Sequence, residues 1–199
     1  IITDLNFGMF KEDLNTARDL AEIMNKWNWP KYSVVATSKN NKERIIEISR
    51  ILKGTLAVGA TVQSTDKEVL RKIKRKNLPL KDQIEIANTR VDDKASAMSE
   101  VIMCLPGDTR IAHFKSVFDM VNMGITLLRN HQFMLLESSE AATKEGRMEF
   151  GMDTRYRVQP RCIGTYTIGS STFICAETEE ICVANNTMDY SDYQECRDL

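Results

Sequence analysis

Several features that would place this chain in a particular class are missing from its 199 residues. No apolar run approaches the roughly 18 residues that a membrane-spanning helix needs. The formal net charge is -1, so no excess of positive charge would attract nucleic acid or an anionic membrane surface. The first residues contain neither a basic region nor a cleavage site, so no secretory signal peptide is predicted. We therefore expect a cytoplasmic protein with no membrane and no nucleic-acid partner.

Cysteines are few, and their spacing is irregular. The five are Cys104, Cys162, Cys175, Cys182 and Cys196. An odd number does not favour the disulfide framework of a small secreted domain. No pair has the C-x2-C spacing that brings two thiolates onto one metal ion. We expect five ordinary thiols and no metal ligands in this chain.

The sequence does contain a regular alternation of strand-like and helix-like segments. Apolar runs predict five strands, at residues 1–4, 32–38, 56–64, 99–105 and 125–136. Apolar residues at helical spacing predict helices between and after them, at 11–27, 41–54, 66–75, 80–91 and 109–124. Gly54 is the expected end of the second helix, and Asp66 is the expected N-cap of the third. Such alternation is typical of an α/β fold with a parallel sheet.

Two closures of this sheet are compatible with the alternation, a doubly wound sheet and a barrel. No G-x-G-x-x-G follows any strand, which weakens the case for a dinucleotide-binding sheet. Beyond residue 150 the chain is richer in Thr, Ser and Gly. That part contains one clear strand at 172–184, kinked near its middle, and a short helix that begins near Ser191. We therefore divide the chain into a domain at 1–150 and a C-terminal extension at 151–199.

Polar residues recur where the predicted strands end, and this edge of a parallel sheet is where ligands bind. The pairs are Asp4 and Asn6, Thr37 and Lys39, Gln63 and Ser64, and Asp108 and Thr109. Asp4, Ser64, Asp108 and Thr109 also have a structural interpretation, since Asp, Ser and Thr cap turns and helices. Gln63 favours a ligand role, because an amide at the end of an apolar strand needs a partner.

The turn after the fourth strand combines Pro106 with Gly107. Glycine lets the backbone approach a flat ligand closely. Met134 and Leu135 end the fifth predicted strand, where they could line a ligand or fill the core. His113 is expected on the surface of its helix, and His131 inside a strand.

Four segments then resemble a known family. They are "ITDLNFGM", "ATVQSTDKEVLRKIKR", "SEVIMCLPGDT" and "HQFMLLESSEAATKEG", in that order. Together they resemble the radical S-adenosylmethionine (radical SAM) superfamily, and most closely its members with an N-terminal cobalamin-binding domain. The resemblance implies a partial, TIM-like parallel (β/α)6 barrel. The family's C-x3-C-x2-C cluster loop is absent here, so the first βα unit is expected upstream of residue 1. The alternative is a homologue that never had this loop.

The resemblance also implies a chemistry and its cofactors. These are S-adenosylmethionine, a 4Fe-4S cluster whose ligands lie outside this chain and, through an upstream domain, cobalamin. The reduced cluster would cleave S-adenosylmethionine and generate a radical that reacts with a small-molecule substrate. The expected protein partner is an electron donor such as flavodoxin or ferredoxin. The chain alone would be inactive, and neither its substrate nor its catalytic residues are assigned.

Site residues follow from the resemblance by position. Asp4 and Asn6 would approach the methionine amino group, and Gln63 and Ser64 the ribose or the methionine carboxylate. The remaining predicted cofactor contacts, near the adenine, are Pro106, Gly107, Met134 and Leu135. The predicted substrate contacts are Thr37, Lys39 and Gln132. The family commonly has glycine where this chain has Cys104.

Two other functions remain open at this point. A conventional (β/α)-barrel lyase or aldolase would use Lys39 or Asp4 as an acid–base group. A non-catalytic binding module would need none of this chemistry.

Overall fold

A computed structural model describes residues 2–4, 6–38, 41–53, 55–57, 60–77 and 98–199. The predicted helix at 80–91 lies outside these residues, as do Lys39 and Gly54. The chain forms two compact units, and each combines several segments. The first unit comprises Ile1–Gln63, Lys76–Val101 and Val117–Arg129. The second comprises Ser64–Arg75, Ile102–Ser116 and Asn130–Leu199.

Over residues 11–132 the described helices and strands follow the predicted order, except that the strand predicted at 56–64 is two strands. The helices are α1 Asp13–Trp27, α2 Lys42–Ile51, α3 Lys67–Lys72, α4 Arg110–Asn122, α5 Lys144–Phe150 and α6 Tyr190–Asp198, with a 3-10 turn at Glu140–Ala142. The strands are β1 Ser33–Val34, β2 Leu56–Ala57, β3 Ala60–Gln63, β4 Met98–Met103, β5 Leu127–Gln132, β6 Asp153–Ile168 and β7 Ser171–Ala184. Five predicted helices are confirmed within a few residues at their ends, which is the usual uncertainty of such boundaries.

The first unit has a core built mainly by α1 and α2. Its fully buried members are Phe7, Ala17, Val35, Ile45, Ile46, Ile48, Leu52 and Leu56. Beside it β1 pairs with β2 in parallel, with Ser33 opposite Leu56. The strand predicted at 1–4 is wrong over 2–4, where the chain is irregular. A single parallel bridge between Phe7 and Thr37 takes its place.

A second sheet has the strand order β3-β4-β5. Strand β3 runs parallel to β4, with Ala60 opposite Ser99. Val62, Val101 and Met120 form a small buried cluster in the first unit. These observations confirm the α/β class with parallel pairing. Among the described residues, β1–β2 and β3–β4–β5 are separate sheets, and no closed barrel is found.

The second unit contains the antiparallel hairpin of β6 and β7. Strand β7 confirms the predicted strand at 172–184, whereas β6 was not predicted. The register shifts between Val158 and Ile163, so the irregularity lies in β6 across from the middle of β7. The core of this unit lies where β7, α6 and the end of β4 meet, and its buried residues are Met103, Cys104, Leu135, Ile181, Cys182, Val183, Met188, Tyr193 and Cys196.

In the part of the chain that the structure describes, no helix combines the length and the apolar character needed to cross a bilayer.

Candidate functional site

The turn after β4 is a tight strand-to-helix connection in the second unit. The N–H of Asp108 donates to the carbonyl of Leu105 over 2.8 Å, and Gly107 has φ +81°. Pro106 followed by a glycine with positive φ is the signature of a type II turn. Helix α4 then begins, and the hydroxyl of Thr109 accepts a hydrogen bond from the N–H of Ala112 (3.1 Å). The Pro-Gly-Asp-Thr sequence thus specifies both the turn and the helix start.

Cys104 enters this turn in a left-handed conformation, with φ +62°. Residues other than glycine rarely adopt the left-handed backbone region, because their Cβ atom crowds the backbone. Glycine at this position would adopt this conformation without that crowding. The N–H of Cys104 donates to Oδ2 of Asp108 over 3.1 Å, and Asn185 donates to the Cys104 carbonyl over 3.3 Å. These contacts hold the strained residue in place.

Asp108 and His113 form a buried pair directly behind the turn. Nδ1 of His113 lies 3.7 Å from Oδ2 of Asp108, and both side chains are only 1% exposed. Burial raises the pKa of the Asp108 carboxyl, and its contacts with His113 and with the Cys104 N–H oppose that rise. Oδ1 of Asp108 and Nε2 of His113 have no hydrogen-bond partner among the described residues. Buried polar atoms without partners are uncommon and call for an explanation.

The predicted surface position of His113 is wrong. It lies on the buried face of α4 with Ser116 and Met120, while Ile111 and Phe118 of the same helix are exposed. His113, Ser116 and Met120 are three and four residues apart, which is the spacing of one helix face. This spacing was the signal that could have identified His113 as a buried residue.

Lys72 covers the turn from the end of α3. A Cβ atom added to Gly107 would lie 2.5 Å from Cδ and 2.8 Å from Nζ of Lys72. Glycine is therefore favoured at position 107 chiefly by its positive φ, while an added Cβ would also require the flexible end of Lys72 to move. The structure thus places a half-buried lysine, which the sequence analysis did not single out, against a predicted adenine contact.

Ser64 is buried in a hydroxyl network at the start of α3. Its Oγ lies 3.3 Å from Oγ of Ser116 and accepts a hydrogen bond from the N–H of Asp66 (3.1 Å). Asp66 in turn accepts from the N–H groups of Glu68 and Val69 at 2.8 and 3.0 Å. The predicted N-cap at Asp66 is confirmed, and Ser64 has a structural role at this helix start.

The predicted fifth strand ends earlier than expected, at Gln132. The side-chain amide of Gln132 donates to the hydroxyl of Tyr193 and accepts from Arg157. Met134 instead forms an antiparallel bridge with Ile181 and is partly exposed, whereas Leu135 is buried in the core. Residues 133–135 therefore do not continue β5, and they pair instead with residues 180–182 of β7.

In the first unit, Asp4 and Asn6 precede the Phe7 bridge. Oδ1 of Asp4 accepts a hydrogen bond from the N–H of Asn6 over 2.7 Å, which is the turn-capping interaction expected of aspartate. Asn6 is exposed. Thr37 is half-buried opposite Phe7.

Gln63 ends β3 with φ +65°, beside a register shift in the pairing of β3 with β4. Its side chain is half-buried. Left-handed backbone at a non-glycine residue costs about 1–3 kcal/mol and is often found at functional sites. Among the predicted site residues of the first unit, Gln63 is therefore the one for which a ligand-binding role is best supported.

All five cysteines are free thiols. Over the described ranges, no three His, Cys, Asp or Glu side chains are grouped so that they could hold a metal ion. An iron–sulfur cluster is held by several grouped cysteine thiolates, so these residues do not fit such a cluster.

Comparison with known proteins gives two relatives, while no established family profile matches the chain. The chain is 27% identical over 199 residues to 2-(S-pantetheinyl)-carbapenam-3-carboxylate methyltransferase of Streptantibioticus cattleyicolor, a match that covers 98% of this chain and 28% of the relative. It is 29% identical over 157 residues to the cobalamin-dependent radical SAM methyltransferase TokK of Streptomyces tokunonensis, covering 77% of this chain and 23% of the relative. The chain thus spans about a quarter of the length of these relatives.

Proposed function

We propose that this chain is part of a cobalamin-dependent radical SAM methyltransferase. The sequence predicted the radical SAM superfamily, and the methyltransferase activity comes from the names of its two relatives. The observation that carries the proposal is the similarity to TokK over 157 residues. That match, covering 77% of the chain, is too long to rest on one short motif. The full protein would transfer a methyl group from S-adenosylmethionine to a small molecule, and the carbapenam carboxylate of the other relative is the first substrate to test.

Different parts of the chain would have different roles in the full protein. Residues 1–150 would correspond to part of a (β/α)6 barrel, with its first βα unit outside this chain, and residues 151–199 to an extension. The cluster ligands and the cobalamin-binding part would come from other regions of the protein. When bound, the cluster would supply the electron that cleaves S-adenosylmethionine.

Gln63 is the strongest candidate for a contact of the first unit with S-adenosylmethionine. Its amide has both a donor and an acceptor, so it can bind a ribose hydroxyl or a carboxylate. The strained backbone at φ +65° would be retained because it directs the amide to the ligand. Asp4 is a weaker candidate, because its carboxylate already caps its own turn. Asn6 and Thr37 remain predicted contacts.

In the second unit, the Pro106–Gly107 turn is the candidate adenine contact. Lys72 lies over Gly107, so a ligand reaches this backbone only if Lys72 swings aside. A lysine has a long, flexible side chain, and such a movement is small compared with a backbone change. Ser64, Gln132, Met134 and Leu135 remain predicted contacts, although Ser64, Gln132 and Leu135 also have structural roles.

Binding of S-adenosylhomocysteine tests the proposal without requiring catalysis. We expect isothermal titration of the longest polypeptide that contains this chain to detect binding, and Gln63→Ala to weaken it by about tenfold, as for one lost hydrogen bond to a charged or polar group. Gln194→Ala, which removes an amide from α6, is the matched control and should bind as the wild type does. Equal affinity of Gln63→Ala and wild type would exclude the role of Gln63, and no binding by the wild type would contradict the proposed function.

The two other functions gain no support. Lys39, on which a Schiff-base enzyme would depend, lies outside the described residues, and the Asp4 carboxylate is engaged by the N–H of Asn6.

A further inference from the structure

Two thiols face each other in the core of the second unit. Cys104 directly follows β4 and Cys182 lies in β7. Their Sγ atoms are 3.7 Å apart although the residues are 78 positions apart in sequence. Both residues are fully buried. A disulfide has an S–S distance of about 2.05 Å, so the sulfurs already lie within a short approach of bonding distance.

Hydrogen bonds involve both sulfurs. The S–H of Cys104 donates to Cys182, and the S–H of Cys182 donates to the carbonyl of Ala184 over 3.1 Å. The amide of Asn185 lies 3.6 Å from the sulfur of Cys104 and donates to it. In this network the S–H of Cys104 has the Cys182 sulfur as its partner, and the S–H of Cys182 has the Ala184 carbonyl.

The backbones that carry the two thiols are also fixed. The N–H of Cys104 is held by Asp108 (3.1 Å), and the N–H of Cys182 donates to the carbonyl of Phe133 (2.9 Å). Cys196 lies in the same core, but over the described residues only Cys104 and Cys182 make a thiol–thiol hydrogen bond. Pairing is therefore specified by geometry and not only by shared burial.

We propose that Cys104 and Cys182 form an oxidisable dithiol that a hydroperoxide converts to a disulfide. This modification site goes beyond the proposed function and does not depend on it. The disulfide would tie the strand-to-helix turn at Leu105–Asp108 covalently to the hairpin. Reduction of the disulfide by a small thiol would restore the two free thiols.

The reaction balances in two steps. Hydrogen peroxide, the smallest hydroperoxide, transfers one oxygen to the sulfur of Cys182, which becomes a sulfenic acid while water leaves. The sulfur of Cys104 then attacks that sulfenic sulfur, the S–S bond forms and the S–O bond breaks. The departing hydroxide takes the proton of Cys104 and leaves as a second water. Two thiols are oxidised, and one peroxide is reduced to two waters.

The contact between the two thiols favours Cys182 as the first to react. Its pKa is lowered by the hydrogen bond from Cys104, whereas the pKa of Cys104 is raised by that same contact and by burial. The thiolate is the nucleophilic form. Both thiols are buried, so oxidation should proceed through local opening of the unit.

Peptide mapping of the wild-type chain tests this proposal directly. The reduced protein is treated with hydrogen peroxide, remaining thiols are alkylated under denaturing conditions, and a non-reducing digest is analysed by mass spectrometry. We expect one cross-linked peptide that joins Cys104 to Cys182, and its loss on reduction. Recovery of both residues as alkylated thiols while the exposed Cys175 is oxidised would overturn the proposal, as would a cross-link from Cys104 to Cys196.

Two variants serve as matched controls. The double variant with Cys162→Ser and Cys175→Ser leaves the buried pair intact and should form the same cross-link at the same rate. Cys182→Ala should leave Cys104 alkylated after peroxide treatment. Because Cys182→Ala removes a buried side chain, the wild-type peptide map decides the question if this variant fails to fold. A cross-link that is lost in the double variant would also contradict the proposal.

Discussion

The carboxylate of Asp108 accepts a buried hydrogen bond, 3.1 Å long, from the backbone N–H of Cys104. The bond spans the tight turn between β4 and α4 and fixes Cys104 at φ +62°. A side chain four residues later thus stabilises a backbone conformation that is unfavourable for a residue other than glycine. The turn that resembles the radical SAM family is therefore held from within the chain.

Two replacements of Cys104 distinguish the effect of backbone strain on stability from the effect of lost packing. Both Cys104→Ala and Cys104→Gly remove the buried thiol, but only glycine relieves the left-handed strain. We expect Cys104→Gly to be more stable than Cys104→Ala by about 1 kcal/mol. Urea unfolding of both variants, followed by circular dichroism, measures the difference. Greater stability of the alanine variant would mean that Cys104 is not left-handed.

Gly107→Ala should destabilise the second unit for two reasons. It places a side chain at φ +81° and puts its Cβ against Lys72. We expect a loss of roughly 1–2 kcal/mol in the free energy of unfolding. Adding Lys72→Ala should recover the steric part but not the backbone part, so the double variant should be more stable than Gly107→Ala alone. Additive losses would show that Lys72 does not cover the turn.

Arg147 and Glu180 predict a pH dependence of stability. Arg147 contacts Glu180 through two hydrogen bonds of 2.5 and 2.6 Å, and Thr154 adds a third of 2.6 Å. Chiefly through the Arg147 bond, the pKa of Glu180 is lowered from 4.5 to about 2. A carboxyl with a lowered pKa stabilises the fold above its unfolded-state pKa and loses this contribution as the pH falls.

The advantage of wild type over Glu180→Gln should therefore be complete above pH 4.5 and should shrink as the pH falls toward 2. At neutral pH we expect the variant to lose about 1–3 kcal/mol, as for a hydrogen bond to a charged group. Denaturant unfolding at a series of pH values measures both quantities. The exposed Glu145→Gln is the control and should show no such trend. A difference that stays constant with pH would contradict the prediction.

The outer half of the hairpin should be dispensable for the core of the second unit. Residues 163–176 carry no charged side chain, and their large apolar members, such as Ile163, Tyr166 and Ile174, are exposed. An uncharged, unpaired strand edge promotes association between chains. Joining Val158 to Thr178 through Asn-Gly, a favoured two-residue hairpin turn, removes this half together with the flanking residues 159–162 and Glu177. The change should alter the stability by under about 1 kcal/mol and reduce light scattering at high concentration. A clear loss of stability would show that this half supports the core.

Local features of the fold could be predicted from the sequence. The Asp66 cap and the Pro106–Gly107 turn depend on residues within a few positions of each other, so their patterns are visible in the chain. Strand β6 could not be predicted, because a two-stranded hairpin with most side chains exposed needs no alternation of apolar and polar residues. Pro160 and the register shift after Val158 interrupt its pattern further.

The candidate site was predicted only in part. The positions of Ser64, Pro106, Gly107 and Gln63 at strand ends or turns agree with the sequence analysis. The Asp108–His113 pair and the Lys72–Gly107 contact were missed, because each depends on how a helix rotates against its neighbours. On α4 the exposed residues include Ile111 and Phe118, so the large apolar residues of this helix do not by themselves mark its buried face.

The most direct test of the central claim is an anaerobic assay of the longest polypeptide that contains this chain. After reconstitution with iron and sulfide, the protein is given S-adenosylmethionine, cobalamin and a strong reductant, and the products are analysed by mass spectrometry. The account predicts 5'-deoxyadenosine in the wild type and a marked reduction in Gln63→Ala, with Gln194→Ala unchanged. A protein that assembles the cluster but forms no 5'-deoxyadenosine would contradict it.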